Sequence, residues 1–288
     1  MAMTDIVTRV KTLLHGSGLM EKPPIVRVAA DASETITNPT IVFNLLSGEG
    51  ASSGIAAGDI LSTMQGSTAA LSFIFYVLSV STDAVTCTST YMGSTASTAS
   101  QLDGMLLELN APRAELLLWN DISAVINGML WPEVYLYTTE SVTPDLSNMQ
   151  ADLQAGTERI VKAVQVIGGT NLNISHELHK NVATGVASTT VYAELFAIDA
   201  STVFVSSMTR VAESSTLNEA YNRMIATGAA AVAVGSMLGG GSLESSSKDS
   251  QNRNQKTPRQ VFWQDFVALR ASIAQDLSHE ENWFEVVL

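Results

Sequence analysis

Charge is scarce in this chain: only 15% of its 288 residues are Asp, Glu, Lys or Arg, where globular proteins carry about 25%. Cations are the scarcer sign, with 15 Lys and Arg against 28 Asp and Glu, a formal net charge of −13 and a pI of about 4.6. That balance excludes non-specific coating of duplex nucleic acid, an affinity that comes from cations displacing phosphate counterions. Cysteine is almost missing. The single Cys87 excludes an intrachain disulfide framework and any multi-Cys zinc or iron–sulfur centre. Long apolar runs are missing too. Residues 69–80 are too short to span a bilayer as a helix, and their Phe, Ile, Val and Tyr predict a buried strand. Residues 224–240 are mostly Ala, Gly and Val, which predicts a buried helix; a span needs about 20 strongly apolar residues. No secretory signal is evident in the first residues: Arg9 and Lys11 interrupt Ile6, Val7, Val10, Leu13 and Leu14, which read as one face of a short helix.

Apolar residues, at 46%, suffice to offset chain entropy, so the chain folds. After an N-terminal helix (1–22), residues 23–110 carry short β-rich runs separated by turn clusters at 47–50, 57–59 and 81–83. About five strands are expected there, in a small β-barrel-like domain. Residues 111–238 hold a helix, a second antiparallel β region and an Ala/Gly-rich helix. In this stretch Asn110 is read as helix cap with Pro112 in the first turn, and Pro132 as the stop. Residues 144–157 read as polar loop, and 198–201 as a turn between two strands. Thr216 reads as cap of the next helix, with Glu219 in the capping-box position. Tyr221, Ile225, Gly228, Ala229 and Val232 share one face of that helix, and their small side chains predict close approach of another backbone. Residues 239–260 are a flexible linker by composition, holding Lys248, Arg253, Lys256 and Arg259. A final helix with Val261, Phe262, Phe266, Leu269, Ile273 and Leu277 on its apolar face leads to a tail ending in Trp283, Phe284, Val287 and Leu288 (261–288). The whole is α+β: a barrel-like domain and a second antiparallel β region flanked by packed helices, with an extended C-terminal helix and tail.

Most catalytic templates fail. There is no Walker loop and no G-x-S-x-G elbow, and Gly48, Gly50 and Gly54 have the wrong spacing for a dinucleotide fingerprint. His176 and His179 are three apart, where metalloprotease logic needs two His four apart on a helix; they read as solvated loop histidines with no metal. Cys87 alternates with Thr86 and Thr88 in a strand and reads as a packed small hydrophobe. The linker cations are either a solvated loop or a contact for an acidic partner or nucleic-acid phosphate. The terminal aromatic pair packs on its own domain or anchors in another subunit.

Three segments, in order, resemble the head-to-tail adaptor (connector) proteins of tailed bacteriophages. The first is YMGSTASTA from Tyr91 and DGMLLELNAP from Asp103. It is similar to the R-G-Y-x-G-T/S-x-A…G…V-N-P stretch ending that family's β-domain, with Gly58-Asp59-Ile60 resembling its Pro-Gly-Asp turn. The second runs from Trp119-Asn120 to Trp131-Pro132 and resembles a helix that closes on an aromatic–Pro step. The third, Leu217 to Tyr221 and Ile225 to Ala231, is similar to a helix ending in a G-A-A stretch before a last helix. Ser89 and Thr90 stand where the family often has Arg and Gly, and Gln101-Leu102-Asp103 where it often has His before the glycine.

The resemblance implies a virion structural protein and not an enzyme, with no cofactor. It would be a ring, typically twelve-fold, that joins the portal protein to the next neck or tail-terminator ring and lets genomic DNA through without binding its sequence. No membrane is involved. On this reading Phe262, Phe266, Leu269, Trp283, Phe284, Val287 and Leu288 dock on the portal, and Tyr221, Ile225, Gly228, Ala229 and Val232 pack at a subunit interface or core. Few charges suit lateral ring contacts, and acidity suits a channel that must not hold phosphates. The alternatives are a tail terminator, a head-decoration protein, or a soluble β-rich enzyme using His176 and His179.

Overall fold

The structure is a computed structural model that describes residues 3–29, 35–37, 40–45, 54–64, 72–82, 84–88, 103–182, 189–213, 215–237 and 257–286, with backbone alone at 35–37, 181–182, 189–190 and 279–286. It is α+β, with four helices among the described residues, a curled antiparallel sheet (a half-barrel) and two further sheets. The chain divides into two compact units, Met1–Val125 with Thr216–Ser272 and Ile126–Ser215 with Ile273–Leu288.

The first unit holds the curled sheet. Its strands are β1 (Ile25–Arg27), β2 (Thr35–Thr37), β3 (Thr40–Asn44), β4 (Ile60–Thr63), β5 (Ile74–Val80), β6 (Ala84–Thr88) and β7 (Leu106–Leu109), in the order β1-β7-β4-β5-β6-β3-β2. Side chains alternate across a strand. In β6 this sends Val85 and Cys87 inward and leaves Ala84, Thr86 and Thr88 half-buried. β5 buries Ile74, Phe75 and Val77, so the apolar run at 69–80 contains the buried strand its composition predicts. Phe43 and Phe75 meet edge-on, with centroids 4.8 Å apart, within a core that also holds Val28, Leu61, Phe73 and Leu107. Val28 bridges Leu45, and the Ala29 N–H donates to the Asn44 carbonyl at 2.9 Å, so the chain just past β1 meets the chain just past β3. Seven strands form where about five were expected. β2 is only three residues long, and β4 buries Leu61, Ser62 and Thr63 in succession, so it has no alternating pattern to detect.

Helix α1 (Met3–Gly16) buries Ile6, Val7, Val10 and Leu14 and packs along α3 (Glu219–Met237). Helix α2 (Glu115–Met129) starts four residues later than it would if Asn110 capped it. Asn110 instead adopts φ +49° and turns its amide to the β4 end of the sheet. α3 is capped by Asn218, whose Oδ1 accepts from the Tyr221 N–H at 3.1 Å, rather than by Thr216. Helix α4 (Pro258–Val286) begins on a capping box the sequence reading passed over. The Gln260 N–H donates to Thr257 Oγ1 at 3.3 Å, and the Thr257 N–H to Gln260 Oε1 at 2.9 Å. That satisfies two orphan donors reciprocally, with Pro258 in the first position, where its missing N–H costs nothing.

The second unit carries a four-stranded sheet, β11-β10-β14-β8, and a three-stranded one, β12-β13-β9. The strands are β8 (Leu136–Val142), β9 (Gln150–Asp152), β10 (Thr157–Ile167), β11 (Thr170–Asn173), β12 (His176–Val182), β13 (Thr189–Leu195) and β14 (Val203–Thr209). β9 lies inside the stretch read as polar loop; it pairs with β13 through Tyr192↔Asp152 and Glu194↔Gln150. Gly168 and Gly169, at φ +56° and +82°, turn β10 into β11 in the primed geometry that a two-residue hairpin requires. Ala163, Ala193, Leu195, Val203 and Val205 form this unit's core. Buried Gln165 is fully partnered: Nε2 donates to Asp199 and Ser201 oxygens, and Oε1 accepts from the Ile198 N–H at 2.8 Å, which pins the predicted 198–201 turn.

Candidate functional site

The helices of the first unit bring together two residue sets that sequence reasoning kept apart. Tyr221, Ile225, Gly228 and Ala229 are buried on α3, with Val232 half-buried. Phe262 and Phe266 on α4 are buried as well, Phe266 completely. Their meeting point is Gly228, where a Cβ would stand 2.8 Å from Phe266 Cδ2 and 3.2 Å from Val125 Cγ1. An aromatic ring, not a second backbone, occupies the space that the small residues leave. Phe262 and Phe266 therefore do not form a free docking face, and Leu269 is half-buried in the same stripe. The physical reason is that residues at i, i+4 and i+7 are one helix face, and this face already has its cover.

What α4 leaves open is a different set. Val261, Trp263 and Val267 are 40%, 45% and 45% exposed. Trp263 and Val267 are one turn apart on a single flank, with the Trp263 ring 5.5 Å from that of Phe266. Trp263 and Val267 were present in the sequence as apolar residues off the main stripe, whereas Val261, expected on that stripe, is exposed at the start of the helix. Beside them α1, α3 and α4 enclose a groove of about 690 Å³ lined by Asp5, Arg9, Arg223, Thr227, Phe262 and Asp265, among others. Both charge signs face it, and Arg9 donates to Glu219 at 2.5 Å. Arg259 lies in the first turn of α4 rather than in a linker, its guanidinium against Gly235. Lys248, Arg253, Lys256, Val287 and Leu288 lie outside the described residues. Trp283 and Phe284 fall within the helical backbone of α4, and their side chains lie outside the described set.

A second cluster ties α1 to the sheet. The Lys11 ammonium donates to Glu108 at 3.1 Å and to Glu115 at 2.8 Å, and both carboxylates are buried. Burial pushes the Glu108 carboxyl above its ordinary value, against the pull of Lys11. Near it, Asp59 and Asn110 form a joint across 51 residues: Asn110 Nδ2 donates to Asp59 Oδ1 at 2.9 Å, and its Oδ1 accepts from the Ile60 N–H at 2.9 Å. Cys87 is packed in the core, and burial pushes its thiol up to about 12, so no thiolate is on hand at neutral pH.

The two histidines are on a strand, not a loop. His176 and His179 are three apart on β12, so alternation puts them on opposite faces. His176 Nδ1 lies 3.4 Å from the Ile174 carbonyl. His179 shares its face with Glu177 and, across the ladder, Glu194, and stacks on Tyr192 at 5.1 Å and 14°. Among the described residues this is the group of three able to hold a metal ion, with ligand atoms all within 4.8 Å of one another.

No family model matches the chain, and no curated protein matches it. No helix among the described residues is long and apolar enough to cross a membrane.

Proposed function

We propose that this chain is a structural ring protein of a tailed-phage neck. It would join the portal to the next ring, with DNA passing through a barrel-like, acidic channel wall. The observation that carries the reading is the joint between Asp59 and Asn110. These belong to the two separated motifs, Gly58-Asp59-Ile60 and Asn110-Ala111-Pro112, through which the chain resembles the head-to-tail adaptors, and their side chains hydrogen-bond to each other. Support also comes from the third motif, whose Gly228 receives Phe266 of the last helix. The docking surface is moved by the burial of Phe262 and Phe266. In this proposal the exposed flank Val261, Trp263 and Val267 takes their place, and the terminal Trp283, Phe284, Val287 and Leu288 are kept as docking residues on the sequence reading alone.

Electron microscopy of the purified chain, alone and with portal rings, tests this. The expected particle is a closed ring, twelve-fold when seated on the portal. A chain that stays monomeric in both samples overturns the reading. A ring that caps tail tubes or a protein that decorates capsids replaces it with a terminator or a decoration protein.

A further inference from the structure

The geometry points to a divalent-cation site of the zinc class on the outer face of the β12–β13 hairpin, ligated by Glu177, His179 and Glu194. The ladder register builds it. Glu177 stands opposite Glu194, and His179 opposite Tyr192. Residues i and i+2 on one strand share a face with their cross-strand partners, so the three ligating side chains project from one side. The inner side carries Val191, Ala193 and Leu195, which are buried. The site therefore sits on a packed sheet rather than on a loop.

Two features ask for a cation. Like charges directly opposite each other on an antiparallel pair destabilise it, and among the described residues neither Glu177 nor Glu194 has a Lys or Arg ion-pair partner. The second feature is the imidazole. His179 Nε2 is shut off from solvent and has no hydrogen-bond partner, yet it lies 3.4 Å from Glu194 Oε2. The two atoms are close without being aligned for a hydrogen bond. That is the relation between two ligands of one ion: bonds of about 2.1 Å in tetrahedral geometry put ligand atoms roughly 3.4 Å apart. Tyr192, stacked on the ring, fixes its plane. An imidazole nitrogen with two carboxylates suits zinc and its neighbours, whereas calcium takes six to eight oxygens. Water would complete the shell. The ion would cross-link β12 to β13.

The test is calorimetric titration of Zn²⁺ into the full chain after chelator treatment and dialysis, with thermal melts alongside. One Zn²⁺ per chain and a Zn²⁺-dependent rise in Tm are expected. His179→Ala should lose more affinity than the ~10–100-fold typical of changes outside the ligand shell. Glu177→Gln, at an exposed position, and Glu194→Gln, at a half-buried one, should each weaken binding at least about tenfold. His176→Ala, on the opposite face, should bind as the parent does. Absence of stoichiometric Zn²⁺ overturns the site, as does binding that survives His179→Ala or falls equally with His176→Ala. Equal affinity for Ca²⁺ would also overturn it, because the histidine would then have no role.

Discussion

At the scale of single residues, Gly228 and Lys11 carry the sharpest consequences. A methyl at Gly228 would stand 2.8 Å from the Phe266 ring, nearer than real carbon atoms approach, so the ring must move. Alanine gains about 1 kcal/mol of helix propensity over glycine, and overpacking costs about 1–3 kcal/mol. Gly228→Ala should therefore destabilise slightly, and Gly228→Leu by about 3 kcal/mol or more. Urea melts of a Gly228→Ala/Phe266→Leu cycle should give a double variant more stable than the sum of the singles, because the smaller side chain vacates the contested space. Strict additivity would mean that the two residues do not compete. Lys11 is the counter-charge of two buried carboxylates. Lys11→Met should cost about 3–5 kcal/mol, since it strands buried charge. The same cluster sets a pH dependence. Burial raises the Glu108 carboxyl above 4.5, with Lys11 opposing and Glu115 adding to the rise. The folded chain then holds that proton more tightly than the unfolded chain, so this stability is present below pH 4.5 and is lost as pH rises through the folded value. Glu108→Gln should gain on the parent across that window in melts run at a series of pH values. A difference that stays flat with pH would remove Glu108 as the source.

At the scale of elements, α4 presents apolar residues on two sides. The side with Phe262 and Phe266 is covered, and the flank with Trp263 and Val267 is open. Trp263→Ser with Val267→Ser should leave the chain folded at a cost of about 1–2 kcal/mol, because half of the Trp263 surface is covered and its ring lies against Phe266, while on the proposed neck-ring reading ring assembly and portal capture are lost. Rings that form normally from this variant would remove the flank as an interface. The covered stripe of α4 was legible because its spacing repeats at three and four, but its cover was not, since Gly228 and Phe266 lie 38 residues apart. α2 was legible as a helix and misplaced at its start. Asn110 has the chemistry of a cap, and the Ile60 N–H and the Asp59 carboxylate compete for that amide and win. β9 escaped because three residues carry almost no periodic signal; the edge of β13 makes it a strand. His176 and His179 were weighed as a pair because they are neighbours in sequence. The strand splits them, and the register gives His179 its partners from β13 instead. Cross-strand register is set by packing and turns far from the residues concerned, so a local pattern could not supply it.

For the whole molecule the quantity that matters is charge, and at least five of the twelve Lys and Arg among the described residues are held in ion pairs. Arg9, Lys11, Arg113, Lys180 and Arg210 each pair with a carboxylate of the chain, the last two sharing Glu158. Pairing leaves the acidic excess of −13 unchanged, because each ion pair removes one charge of either sign. Twelve copies would bring roughly −156 formal charges to one ring. A wall of that sign repels phosphate, which would suit the DNA passage of the proposed neck ring. The counter-argument is local: Lys248, Arg253, Lys256 and Arg259 fall close together in sequence. Four phosphate contacts would give a slope of about −3.6 for log K against log salt, strong enough to see in a gel. We expect the purified chain to leave duplex DNA unshifted even at low salt, where phosphate contacts are strongest, and Lys248→Gln with Lys256→Gln to change nothing. A salt-dependent shift with that slope, abolished by the same two substitutions, would make the basic segment a DNA contact and the passage a gripping one rather than an inert duct.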